Sequence, residues 1–156
     1  MASTQGIPVM MVGRSAENGK GVIALLQPDY DVVHFCETVP SAKEEIPTVL
    51  QGLPVHAATP IGSNAHRTNT GSKLPTPEFI FMGAGFPDED FEEVKAAVGE
   101  LPEGIRWARE RRSDFDGLGL EKDESWHEAA GRRVPKPEII AQAARRVFAR
   151  AKEEGT

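Results

Sequence analysis

The amino-acid sequence predicts an α/β fold, a three-layer sandwich with a mostly parallel sheet of four to five strands. Three observations predict it. Short β-branched or aromatic runs alternate with stretches of helical periodicity, the order expected when each strand is followed by a helix that crosses to the next. The runs are apolar on both alternating faces, as in strands covered from two sides. Glycine or proline punctuates most of the junctions.

Taken in order, Ile7–Val12 is the first run, stopped by Gly13. Residues 16–26 follow as a short helix with Val22, Ile23, Leu25 and Leu26 on its buried side and Pro28-Asp29 as the stop. Tyr30–Cys36 is the second strand. The next helix, 41–53, opens on the capping-box pattern Ser41-x-x-Glu44, and Pro47 must kink or shorten it because proline supplies no backbone donor. Residues 54–77 are crowded with proline, glycine and asparagine and read as a long irregular insertion. Phe79–Met82 is the third strand. Residues 87–101 form a helix with Phe91, Val94, Ala97, Val98 and Leu101 at helical spacing, and Asp88, Glu89 and Asp90 load its first turn. A fourth strand covers 105–109, a polar irregular loop covers 111–135, and 138–152 closes the chain as an amphipathic helix. This alternation is that of a Rossmann-like or flavodoxin-like sandwich.

The chain has 156 residues and a formal net charge of −6, which fits one domain spanning 1–156. Residues 100–156 are neutral, with twelve Lys+Arg against twelve Asp+Glu, so residues 1–99 carry the whole excess of acid. Such a balance gives no general attraction to nucleic acid or to an anionic membrane. The single cysteine, Cys36, excludes an intrachain disulfide or a zinc ribbon and fits a reducing, cytoplasmic compartment. No metal-binding set is predicted: His127-Glu128-x-x-Gly131 lacks the second histidine of a zinc helix.

In an open parallel sheet, ligands bind beyond the carboxyl ends of the strands. That rule selects the loops 13–20, 37–41, 83–88 and 110–136 and discounts His56 and His66, which lie in a helix-to-strand connection. The first loop holds Gly13, Arg14, Ser15, Asn18 and Lys20, a set able to hold an anion at a helix start. Its glycine spacing matches neither a P-loop nor a dinucleotide fingerprint. Glu37, at the end of the second strand, stands where an acid holds a ribose hydroxyl, and Gly83 and Gly85 permit close approach of backbone to a ligand. NAD(P) or another nucleotide is the cofactor class in view. In the last loop, Asp114 and His127 are the acid–base candidates, and 106–112 forms a local basic patch.

The reading these residues favour is a small protein that binds a nucleotide-type or other anionic small molecule, with oxidoreductase-like chemistry open to it. Two alternatives stand beside it. One is a regulatory domain that resembles receiver domains in layer order but has Gly83-Ala84-Gly85 where they place a phospho-acceptor aspartate. The other is a cofactor-free isomerase or lyase. The partners expected are the small molecule and a second copy of the chain as a homodimer, with no nucleic acid and no membrane.

Overall fold

The computed structural model describes residues 6–56, 61–67, 73–129 and 131–154. Four parallel strands, β1 (Ile7–Val12), β2 (Tyr30–Cys36), β3 (Phe79–Met82) and β4 (Arg106–Arg109), form a sheet in the order β2-β1-β3-β4. Four helices flank it: α1 (Ala16–Leu26), α2 (Val39–Leu50), α3 (Asp88–Val98) and α4 (Pro137–Glu154). The α/β sandwich is therefore the fold, with α1 and α4 packed together on one face and α2 and α3 on the other.

The two cores follow from strand alternation. Val9, Met11, Phe79 and Phe81 point to the α1/α4 side, where Phe148 is the central side chain. Met10, Val12, Ile80 and Met82 point to the α2/α3 side, against Ile46, Val49 and Val94. The β2 edge does not stay open, because the Phe35 N–H donates to the Ile61 carbonyl (3.0 Å) and Arg67 pairs with Asp31 (2.9 Å). Residues 61–67 thus cap a strand edge that otherwise presents unpaired backbone groups. The rest of the 54–77 insertion includes 57–60 and 68–72, which lie outside the described residues.

Two expectations change. Helix α2 starts at Val39, and its N-cap is Thr38, whose hydroxyl accepts from the Ser41 N–H (3.1 Å) while Ser41 Oγ accepts from the Thr38 N–H (3.2 Å). Ser41 is therefore the inner partner of the capping box, and the helix ends at Leu50, three residues past Pro47. The loop after β4 is also not wholly irregular. Trp126–Ala129 (β5) and Arg132–Pro135 (β6) pair antiparallel as a hairpin, with Gly131 at φ 75° in the turn, a conformation glycine adopts without strain. His127 therefore sits on a strand within the stretch read as an irregular loop.

Candidate functional site

β1 leads through α1 to β2 on one side, while β3 and β4 lie on the other. The loops leaving β1 and β3 therefore diverge, and a crevice opens between them at the carboxyl edge. A cavity of about 930 Å³ occupies that crevice. Met11, Phe35 and Phe81 contribute to its apolar lining, as do Trp126, Val134 and Pro135 from the β5–β6 hairpin and Phe115 and Leu120 from the segment before it. The hairpin is latched through Asn18, whose Nδ2 donates to the Pro135 carbonyl (3.1 Å) and whose Oδ1 lies 2.7 Å from His127 Nε2.

Glu110, which follows β4 directly, lines the cavity. Its N–H extends the strand pairing by donating to the Met82 carbonyl (3.0 Å), and this fixes its side chain at the sheet edge. Only 5% of the residue is exposed. Oε1 accepts from the Ala84 N–H (2.8 Å), whereas Oε2 has no hydrogen-bond partner, alone among the buried side-chain nitrogens and oxygens of the described residues. Burial pushes the carboxyl up to about 7, and the nearby Asp114 adds to the rise. The Ala84 N–H and the Arg109 and Arg150 guanidinium groups oppose it. A carboxyl held near neutrality in a cleft has the property that proton transfer requires.

The cavity is also lined by six arginines: 14, 109, 111, 112, 132 and 133. Arg109 braces the loop after β3, donating to the carbonyls of Gly83 (2.6 Å) and Phe86 (2.5 Å) and reaching Asp88 at 3.3 Å. Arg14 donates to the Gly85 carbonyl (3.0 Å) and lies over the Phe86 ring. Arg133 stacks over Trp126 and pairs with Asp123, and Arg111 reaches Glu154 at 3.6 Å. Arg112 and Arg132 are exposed and have no partner among the described residues. Against these six cations the lining holds two acids, Asp88 and Glu110. The cavity lining is therefore rich in cationic side chains in a chain whose net charge is −6.

Of the residues singled out from the sequence, Gly13, Arg14, Ser15, Asn18, Gly83 and Gly85 come together on this lining. Lys20 is exposed and lies outside it. Glu37 is at the same edge but accepts from the Ala16 N–H (2.6 Å), and Ser15 Oγ takes the Asn18 N–H (3.1 Å). Two of the donors at the start of α1 are thus already satisfied, one of them by an acid. Glycine at 13 and 19 serves Phe35: a Cβ on Gly19 lies 2.6 Å from that ring, and one on Gly13 lies 3.0 Å from it.

Asp114 is a strut. It accepts from the Arg111 N–H (2.7 Å) and pairs with Arg150, while Arg146 holds the Asp114 and Asp116 carbonyls. His127 is part of the hairpin, with its Nε2 2.7 Å from Asn18 Oδ1, and is not on the cavity lining. Sequence reasoning found the basic patch but missed the Glu110 carboxyl. The available signal was its position immediately beyond a strand, at the edge where ligands bind.

These features define an α/β sandwich with a cationic crevice at its topological switch point and a buried carboxyl in the lining. No protein-family profile and no solved structure matches the chain. The chain is similar to Kojic acid related protein 6 of Aspergillus oryzae (strain ATCC 42149 / RIB 40), with 34% identity over 110 residues, covering 67% of this chain and 58% of that protein. It thus spans little more than half the length of the relative it matches. No helix among the described residues is long and apolar enough to cross a membrane.

Proposed function

We propose that the crevice binds a small organic anion with an apolar body and that Glu110 passes a proton to or from it. The observation that carries this is the partnerless Glu110 Oε2, buried where β4 ends beside an arginine-lined cavity. A buried carboxyl oxygen without a partner is costly in a resting protein and becomes useful when a bound molecule supplies the missing hydrogen bond. The mixed lining suits the rest of the ligand: aromatic and aliphatic side chains take its body while arginine takes its charge. Arg14, together with Gly13, Ser15, Asn18, Gly83 and Gly85, forms the loop side of the site, and Arg112 and Arg132 supply the free cations. The relative's name contains the words kojic acid, which favours a small acidic compound over a macromolecule.

A nucleotide such as NAD(P) is the narrower form of this reading. Its support is the position of the crevice at the switch point. The charge would then come from arginine side chains more than from the start of α1, where Glu37 already holds an N–H.

The test is a calorimetric and thermal-shift titration with kojic acid, an aromatic carboxylate, inorganic phosphate, NAD(P) and flavin nucleotides. It compares wild type with Arg112→Glu/Arg132→Glu, because neither arginine has a partner to lose among the described residues. We expect an apolar anion to stabilise the wild type. The double variant should bind it at least about tenfold more weakly, equivalent to about 1.4 kcal/mol. If no anion binds at millimolar concentration, or if the double variant binds as tightly as wild type, the reading fails.

A further inference from the structure

We propose that His34, Cys36 and Glu45 form a binding site for a divalent transition-metal ion of the zinc class, on the α2 side of the sheet and separate from the crevice. The three side chains supply an imidazole nitrogen, a sulfur and a carboxylate oxygen, and these ligand atoms all lie within 4.8 Å of one another. His34 Nε2 is 2.7 Å from Glu45 Oε1, and Cys36 Sγ is 3.6 Å from the same oxygen. A tetrahedral zinc centre spaces such atoms about 3.3–3.7 Å apart, so the histidine and glutamate must part slightly, while the histidine nitrogen and the cysteine sulfur, within 4.8 Å of each other, settle to that spacing.

The backbone is shaped to bring them together. The β1–β2 register slips between Val9 and Met10: Val9 faces Val32, Met10 faces His34, and Val33 is the extra residue of a bulge. Bulges are rare in parallel pairs and re-aim the side chains beyond them. Here Val33 and Cys36 both join the α2/α3 core, while Phe35 joins the α1/α4 core. His34 is thereby turned toward α2, where Glu45 meets it.

A buried histidine and carboxylate at a helix–sheet interface contribute little stability compared with apolar residues of the same volume. A metal ion makes use of all three groups. On binding, the Cys36 thiol proton leaves to solvent and the imidazole proton resides on Nδ1, freeing Nε2 to coordinate. The Glu45 side chain, 18% exposed, marks the solvent side of the cluster, where a water can complete the coordination.

The test is a cobalt(II) titration of the untagged full-length chain, followed by displacement with zinc. Cys36 is the sole cysteine, so any thiolate-to-cobalt charge-transfer band reports on this site alone. We expect one cobalt per chain, with that band and the visible absorption of tetrahedral cobalt. Cys36→Ser should abolish the band, and His34→Gln and Glu45→Gln should each weaken binding at least about tenfold. Glu45→Gln, at the partly exposed position, provides a folded variant if the two fully buried replacements unfold the chain. No stoichiometric binding at micromolar concentration, or binding unchanged in folded Glu45→Gln, overturns the proposal. No crevice residue takes part, so this outcome is independent of the anion titration.

Discussion

Replacing Glu110 with glutamine isolates the energetic consequence of the buried carboxyl. Its pKa rises from the ordinary 4.5 to about 7 in the folded chain, so the folded state favours the protonated form. Between these values the folded state holds the proton more than the unfolded state does, and stability falls as pH increases. The contribution is fully present below 4.5, is lost as pH rises through the window, and is gone above about 7. The difference corresponds to about 3 kcal/mol at 1.36 kcal/mol for each pH unit. Glutamine has the same shape, keeps an oxygen for the Ala84 N–H and cannot ionise. Glu110→Gln should therefore match wild type within about 1 kcal/mol at pH 4.5 and exceed it by about 3 kcal/mol at pH 8. For a chain of this size the alkaline gain amounts to roughly 6–12 °C in Tm. Urea unfolding of both proteins across this pH range measures it. Parallel stability profiles, or a variant less stable than wild type at pH 8, refute the assignment of a buried, raised carboxyl. A variant that gains stability at pH 8 while losing any turnover is the signature of a group kept for function.

Gly19→Ala places a methyl 2.6 Å from the Phe35 ring and should cost about 1–3 kcal/mol by chemical denaturation, largely recovered in the double variant with Phe35→Leu. Asn18→Ala removes the latch to Pro135 and His127; we expect a loss of about 1–2 kcal/mol and faster hydrogen exchange across the β5–β6 hairpin by mass spectrometry. Arg150→Met leaves the Asp114 carboxylate buried with only the Arg111 N–H for support; denaturation should show a loss of about 3 kcal/mol, reduced when Asp114→Asn accompanies it. Thr38→Ala should destabilise the chain by about 1 kcal/mol through the lost N-cap of α2, with thermal unfolding as the measurement.

The sandwich was legible because its strands end where their chemistry changes. Phe79–Met82 is apolar throughout and is followed by Gly83, and Tyr30–Cys36 stops at the charged Glu37, so composition alone places both boundaries. The capping box of α2 was legible one turn late, since Thr38 and Ser41 both carry the hydroxyl such a motif needs. Only the geometry assigns Thr38 the outer role. Glu110 was harder to see. Within Arg109-Glu110-Arg111-Arg112 it reads as a solvated acid between cations, and nothing local indicates burial. It is buried because β4 pairs with β3 and because α4, the last helix of the chain, sends Arg150 across to Asp114 and the Arg109 carbonyl.

The bulge at Val33 marks a firmer limit on reading structure from pattern. Register is visible in a strand when one face is polar, because a slip then exposes the wrong residues. Val32, Val33, Phe35 and Cys36 are all buried, two facing α1/α4 and two facing α2/α3, so an apolar count gives the same score for either register. His34 alone breaks the run, and a single polar residue cannot reveal which face it takes until α2 brings Glu45 beside it. The same slip puts Phe35 over Gly13 and Gly19, where it helps line the crevice. One inserted residue in β2 therefore shapes both candidate sites, setting the aromatic wall of one and the imidazole of the other. A sequence in which both faces of a strand are apolar conceals that choice.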